Sequence, residues 1–214
     1  RRPPPLAMHV YFASDLHVDV RAGASSTARL ARWVCDRSRP EDVLILGGDY
    51  GNTDEAIEAC LAEFEGFSGP RLAIAGNHDV WAMGEGVDSS RARYEGLARV
   101  FERAGFHALE REPFTHGEVG FVGAMGWYDY SFREPSLQIP LEVYHAKSMP
   151  GVAGPVWADG EYVDWGVTDP QFTTEQVRAL RDQLESLASV DEIVAVTHHV
   201  PVRALLRPQD LDPS

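Results

Sequence analysis

With 214 residues, 44% of them hydrophobic and 24% charged, the chain can bury one core of ordinary density, which excludes a disordered protein and calls for no second domain. A formal charge of −14, from 33 acidic and 19 basic side chains, would repel duplex nucleic acid over most of the surface. No apolar run approaches the ~20 residues that span a bilayer, so a soluble, cytoplasmic protein with no membrane partner is expected.

The opening Arg1-Arg2-Pro3-Pro4-Pro5 leads into no apolar segment, and residues 1–7 read as an upstream or non-native extension before one domain over 8–214. The first strand is the apolar run at 9–13. A helix over 27–37 follows, capped by Ser25, Ser26 or Thr27, with Leu30, Ala31 and Val34 on its inner face. The second strand is 43–46, and Thr53 caps a helix whose stripe is Ile57, Cys60, Leu61 and Phe64. A third strand at 72–75 completes a β-α-β-α-β order, which predicts parallel neighbours. Cys35 and Cys60 fall among apolar residues on the two helices and read as free thiols.

A helix over 88–104 stops at Gly105, and strands are expected at 106–109, 113–115 and 119–122, the last two joined by a turn at His116-Gly117-Glu118. From 123 to 170 the periodicity fails, and Trp127, Tyr128, Tyr130, Phe132, Tyr144, Trp157, Tyr162 and Trp165 crowd the segment. So long a loop rich in aromatics reads as an ordered rim or partial lid over a site. Within it, Arg133 and Lys147 read as solvated. The last helix spans 174–188, opened by Thr173-Thr174-Glu175-Gln176 and turning Val177, Leu180, Leu184 and Leu187 inward, before a strand at 193–196.

Four of the strands run into bursts of polar residues: Ser14-Asp15-Leu16-His17, Gly47-Gly48-Asp49, Gly76-Asn77-His78-Asp79 and Thr197-His198-His199. Ligands of open α/β sheets bind beyond the carboxyl ends of the strands, so the four bursts should converge on one crevice. Asp15 and His17, two apart on an extended strand end, would point to one face and clasp one ion. Glycines before Asp49 and Asn77 permit tight turns, and Asp49 can bridge two cations, one through each oxygen. His9, His107, His116 and His145 belong to no motif and read as ordinary structural or surface residues.

The ordered set Asp-x-His, Gly-Asp, Gly-Asn-His-Asp and His, running from Asp15 to His199, resembles the calcineurin-like metallophosphoesterases. The resemblance implies an α/β fold in which two mixed β-sheets pack as a sandwich flanked by α-helices. It implies two divalent or trivalent transition-metal ions (Mn, Fe, Zn or Co), with Asp15 and His17 on the first and Asp49 as the bridge. Asn77 would bind the second together with His198 or His199, of which His198, first after the strand, is preferred. His78 matches the family histidine near the leaving group, and Asp79 the acidic residue that orients it. The implied reaction is hydrolysis of a small phosphate ester, mono- or diester, by a metal-activated water.

The family closes its site with a Gly-His-x-His element that does not occur before Ser214, so a longer protein continuing into that element is expected. A non-catalytic interaction scaffold on the same fold is the competing reading. The intact Gly76-Asn77-His78-Asp79 element favours the enzyme.

Overall fold

The computed structural model describes residues 8–20, 22–83, 89–151, 153 and 157–206. The extension 1–7, the first residue expected of the 88–104 helix and the tail beyond 206 lie outside the described residues. Strands β1 (Val10–Ala13), β2 (Val43–Leu46), β3 (Arg71–Ala73) and β4 (His107–Ala108) form one sheet in chain order, every pair parallel. Helices α1 (Gly23–Cys35), α2 (Asp54–Ala62) and α3 (Ser90–Arg103) supply the crossovers.

The second sheet joins β5 (Phe114–His116), β6 (Val119–Ala124) and β7 (Glu192–Thr197); β5 and β6 form an antiparallel hairpin, whereas β6 and β7 run parallel. Among the described residues only this second sheet is mixed. Between β6 and β7 lie two short helices, α4 (Leu141–Ala146) and α5 (Asp159–Tyr162), and the long α6 (Asp169–Ser186).

β2 shows how the layers assemble, since all four of its residues are buried. Side chains alternate across a strand. Val43 and Ile45 therefore meet Leu72, Ile74, Phe121 and Val196 between the two sheets. Leu44 and Leu46 face the other way, into a core with Ala31, Val34, Ile57, Leu61 and Phe101 beneath the helices. A strand covered on both faces must be apolar throughout, and Val-Leu-Ile-Leu is.

Several expectations shift at their ends. Thr53 caps α2 as read, its hydroxyl accepting from Ala56 N–H at 3.1 Å. α1, however, begins at Gly23 behind Ala22, with no side-chain cap. The hydroxyl of Thr27 is drawn instead to Leu16 O, 3.5 Å away, tying the helix to the turn after β1. α6 starts at Asp169, five residues before the position read from sequence, because Thr168 and Gln171 form the capping box and Pro170 sits at the helix start.

The stripe expected on α6 holds only in part: Leu187 is buried and Leu180 half-buried, but Val177 is 51% and Leu184 38% exposed. The helix is turned by other contacts. Phe172 stacks on Trp165 at 3.8 Å. Gln183 accepts from Gly123 N–H and donates to Gly123 O, both at 3.1 Å, completing the backbone bonds of β6 beyond the short β5.

Candidate metal centre

β1, β2 and β3 run parallel and β7 joins from the second sheet, so the turns after all four meet at one rim. Beyond the strands a short ladder continues. Asp15 N–H donates to Gly48 O, His17 N–H to Asp49 O and Val18 N–H to Tyr50 O, each at 3.0 Å. To follow it, Asp15, His17 and Asp49 adopt left-handed backbone conformations, with φ of 57°, 41° and 60°. That region is sparsely used by residues other than glycine and is a recurrent mark of functional sites.

The strand pleat expected to carry Asp15 and His17 is replaced by a turn, since β1 ends at Ala13. His17 gathers with Asp49 and His78, and Asp15 with Asp49 and His198, the ligand atoms within each group lying within 4.8 Å of one another. Gly48 and Gly76 make room for this: a Cβ on Gly48 would come within 2.4 Å of the Gly76 nitrogen, and one on Gly76 within 2.2 Å of Asp49 Oδ1.

Asp49 is buried at the centre of both groups. Its Oδ2 lies 3.6 Å from His17 Nε2, and its Oδ1 3.5 Å from His198 Nε2. His198 Nδ1 is 2.8 Å from Gly47 O, which can only accept, so Nδ1 carries a proton and Nε2 is the nitrogen turned to the cluster. Nε2 lies 3.1 Å from the acceptor Asn77 Oδ1. On the other side of Asp49, His17 Nδ1 is buried with no hydrogen-bond partner among the described residues. Acceptors turned toward one another repel unless positive charge lies between them, and imidazole, carboxylate and amide are the donor set of borderline transition-metal ions. The residues fit cations.

His199 turns the opposite way from His198. Its ring lies against Trp127 and Tyr128, with centroids at 5.2 and 5.0 Å, and burial, then the neighbouring His198, lowers its pKa to about 4.

His78 stacks on Trp81 at 3.8 Å and stands edge-on to His17 at 4.6 Å. Burial lowers its pKa; Asp49 opposes the shift and His17 adds to it. Asp79, expected to orient the His78 ring, is committed elsewhere. Oδ2 accepts from Gly76 N–H at 2.7 Å and Asp49 N–H at 2.9 Å, and Oδ1 from Tyr50 N–H at 2.8 Å and Gly51 N–H at 3.3 Å. This carboxylate staples the Gly-Asp turn to the Gly-Asn-His-Asp turn. Burial and the Asp49 carboxylate push its pKa up to about 7, against the amides of Gly76, Tyr50 and Gly51.

The segment between β6 and α6 adds residues that motif reading missed. Asp159, 2% exposed, accepts from Asn77 Nδ2 at 2.9 Å, Trp81 Nε1 at 2.6 Å and Tyr128 OH at 2.6 Å. Asp169 accepts from Trp127 Nε1 and Lys147 Nζ, both at 2.6 Å, and from the Tyr130 hydroxyl. Lys147, read as solvated, is thus buried in an ion pair. Beside His199 opens a cavity of about 480 Å³ lined by Trp127, Tyr128, Phe132, Tyr144 and Trp157. Arg133 also lines it. No spacing in the chain marks Asp159 or Trp81; for Asp159 the aromatic density of its segment was the one visible signal.

No curated protein matches the sequence. Among solved structures, a phosphopantetheinyl hydrolase from Mycobacterium tuberculosis superimposes with a TM-score of 0.72 at 25% identity, over 94% of this chain and 73% of that one. The sequence profile of the calcineurin-like phosphoesterases matches residues 8–210. With a fold of two sheets between helices and a rim of carboxylate, imidazole and amide side chains, that match shows that the chain belongs to the calcineurin-like phosphoesterase family.

Proposed function

We propose that this protein hydrolyses a small organic phosphate ester at a dinuclear centre held by Asp15, His17, Asp49, Asn77 and His198, with His78 acting on the reacting phosphoryl group. The observation that carries the reading is Asp49: its two oxygens face different histidines, His17 at 3.6 Å and His198 at 3.5 Å. Mn, Fe, Zn or Co suits the donor set, and two such ions would supply charge stabilisation at the phosphoryl oxygens and a water acidic enough to attack at neutral pH.

The chain's own residues supply the rest. Gly47 O holds the His198 tautomer, and the Asp79 staple keeps the Asp49 and Asn77 turns in register. His78, stacked on Trp81 beside His17 and Asp49, offers a ring N–H that hydrogen-bonds a phosphoryl or departing oxygen. The aromatic cavity beside His199 receives the organic part of the ester. Likeness to a phosphopantetheinyl hydrolase makes a phosphopantetheinyl group the first organic part to test. The free thiols of Cys35 and Cys60 accord with a reducing, cytoplasmic setting.

The test pairs two variants in the full-length protein loaded with Mn(II), assayed on an aryl phosphate and on a phosphopantetheinyl ester. Asp49→Ala should lose both ions and about a thousandfold or more in kcat/KM. His78→Ala should keep two ions and lose about a hundredfold, most on poor leaving groups. An Asp49→Ala protein that retains two ions and full rate would remove the bridge assignment, and a wild-type protein that binds Mn(II) yet cleaves no phosphate ester would return the scaffold reading.

A further inference from the structure

An asparagine amide has nearly the same shape either way round, so which end faces a cation is decided by the partners of the other end. For Asn77 that partner is Asp159. A carboxylate accepts and does not donate, so it draws Nδ2 to itself at 2.9 Å and leaves Oδ1 pointing at His198 Nε2, 3.1 Å away. With the amide reversed, a carbonyl oxygen would confront the carboxylate while an NH2 group faced the ligand cluster. The first contact would repel, and an NH2 group could not ligate a cation.

Asp159 is itself held from two further directions, by Trp81 Nε1 and Tyr128 OH, both at 2.6 Å. Trp81 is also the platform under the His78 ring. One buried carboxylate from α5, 82 residues from Asn77, thus joins the aromatic segment to both sides of the centre.

We infer that Asp159 is a positioning residue that holds the Asn77 amide with its oxygen toward the metal site, and through Trp81 steadies the His78 platform. The inference rests on the reading of Asn77 as a ligand. Partners that orient a ligand from behind change metal affinity by about 10–100-fold when removed.

The experiment measures Mn(II) stoichiometry and affinity by titration, with thermal melts alongside, for Asp159→Ala, Asp159→Asn and Asn77→Ala in the full-length protein. Asp159→Ala should bind the second Mn(II) about 10–100-fold more weakly. Asp159→Asn should stay within about threefold, because its carbonyl can accept from Asn77 and Trp81 while its NH2 donates to the Tyr128 oxygen. A residue with only a packing role would lower the melting temperature and leave Mn(II) affinity unchanged. If Asp159→Ala does not fold, Asp159→Asn decides alone, and loss of the second ion in that variant overturns the inference. Asn77→Ala losing one ion while folded Asp159→Ala keeps both would overturn it too and leave the ligand reading standing. Asn77→Ala retaining both ions would remove that reading and the inference with it.

Discussion

The ligand turns and the segment between β6 and α6 place side chains by different means. In the turns the backbone does the aiming: left-handed conformations at Asp15, His17 and Asp49, a ladder from Asp15 to Val18, and four amides gathered on Asp79. In the segment between β6 and α6, side chains do it, through the aspartates Asp159 and Asp169 with three donors each. Backbone wiring next to a sheet shares the sheet's cooperativity, so it yields only with the whole domain. A loop tied by single carboxylates can open locally while the sandwich stays folded.

Removing the keystone of each region tests this contrast. Asp79→Ala leaves four buried amides without an acceptor and should cost about 4 kcal/mol in urea unfolding, with metal content falling in parallel. Asp169→Ala strands the buried Lys147 ammonium, yet the segment can open and hydrate it. The expected global loss is about 2 kcal/mol, with new proteolytic cleavage confined to 125–168. Equal losses of global stability, or cleavage spread over both sheets, would erase the distinction.

Glu110 sharpens the comparison from the side of pH. Its carboxyl accepts from Ala75 N–H at 2.8 Å just before the ligand turn, and burial, partly offset by that bond, pushes its pKa from 4.5 to about 8. A raised folded-state pKa means that the stabilisation is complete below the unfolded value and is lost as pH rises through about 8. Glu110→Gln should therefore flatten the decline in urea midpoint between pH 4.5 and 8. An unchanged slope would show that the carboxyl titrates normally. The smallest effect belongs to α6, where Val177→Ser should change stability by no more than about 0.5 kcal/mol, since the side chain faces outward. A loss of 2 kcal/mol or more, the scale of a truncated core side chain, would restore the face expected from periodicity.

Some of this was legible in the chain as written. A parallel strand covered on both faces must be continuously apolar, so Val43–Leu46 could be read residue for residue. A cap works through a bond three residues away, so Thr53 could be read as well. The motif residues stood out because each follows a strand, and the rim gathers Asp15, His17, Asp49, Asn77, His78 and His198.

What stayed hidden depended on partners far along the chain. A helical repeat says that α6 has an apolar stripe and is silent on what covers it; Phe172 on Trp165 and Gln183 on Gly123 decided the face. The link from Asp79 to His78 was assumed from a motif, but a buried carboxylate goes to whichever donors surround it, and here those are backbone amides of two turns. Asp159 meets Asn77, Trp81 and Tyr128 across 82, 78 and 31 residues. No local pattern encodes such meetings. The sequence by itself determined the order of strands and the kinds of side chain at their ends, because both follow from burial and turn chemistry within a few residues. Only the tertiary structure decided which way each of those side chains faces, because that depends on single hydrogen bonds between segments brought together by the packing of the whole core.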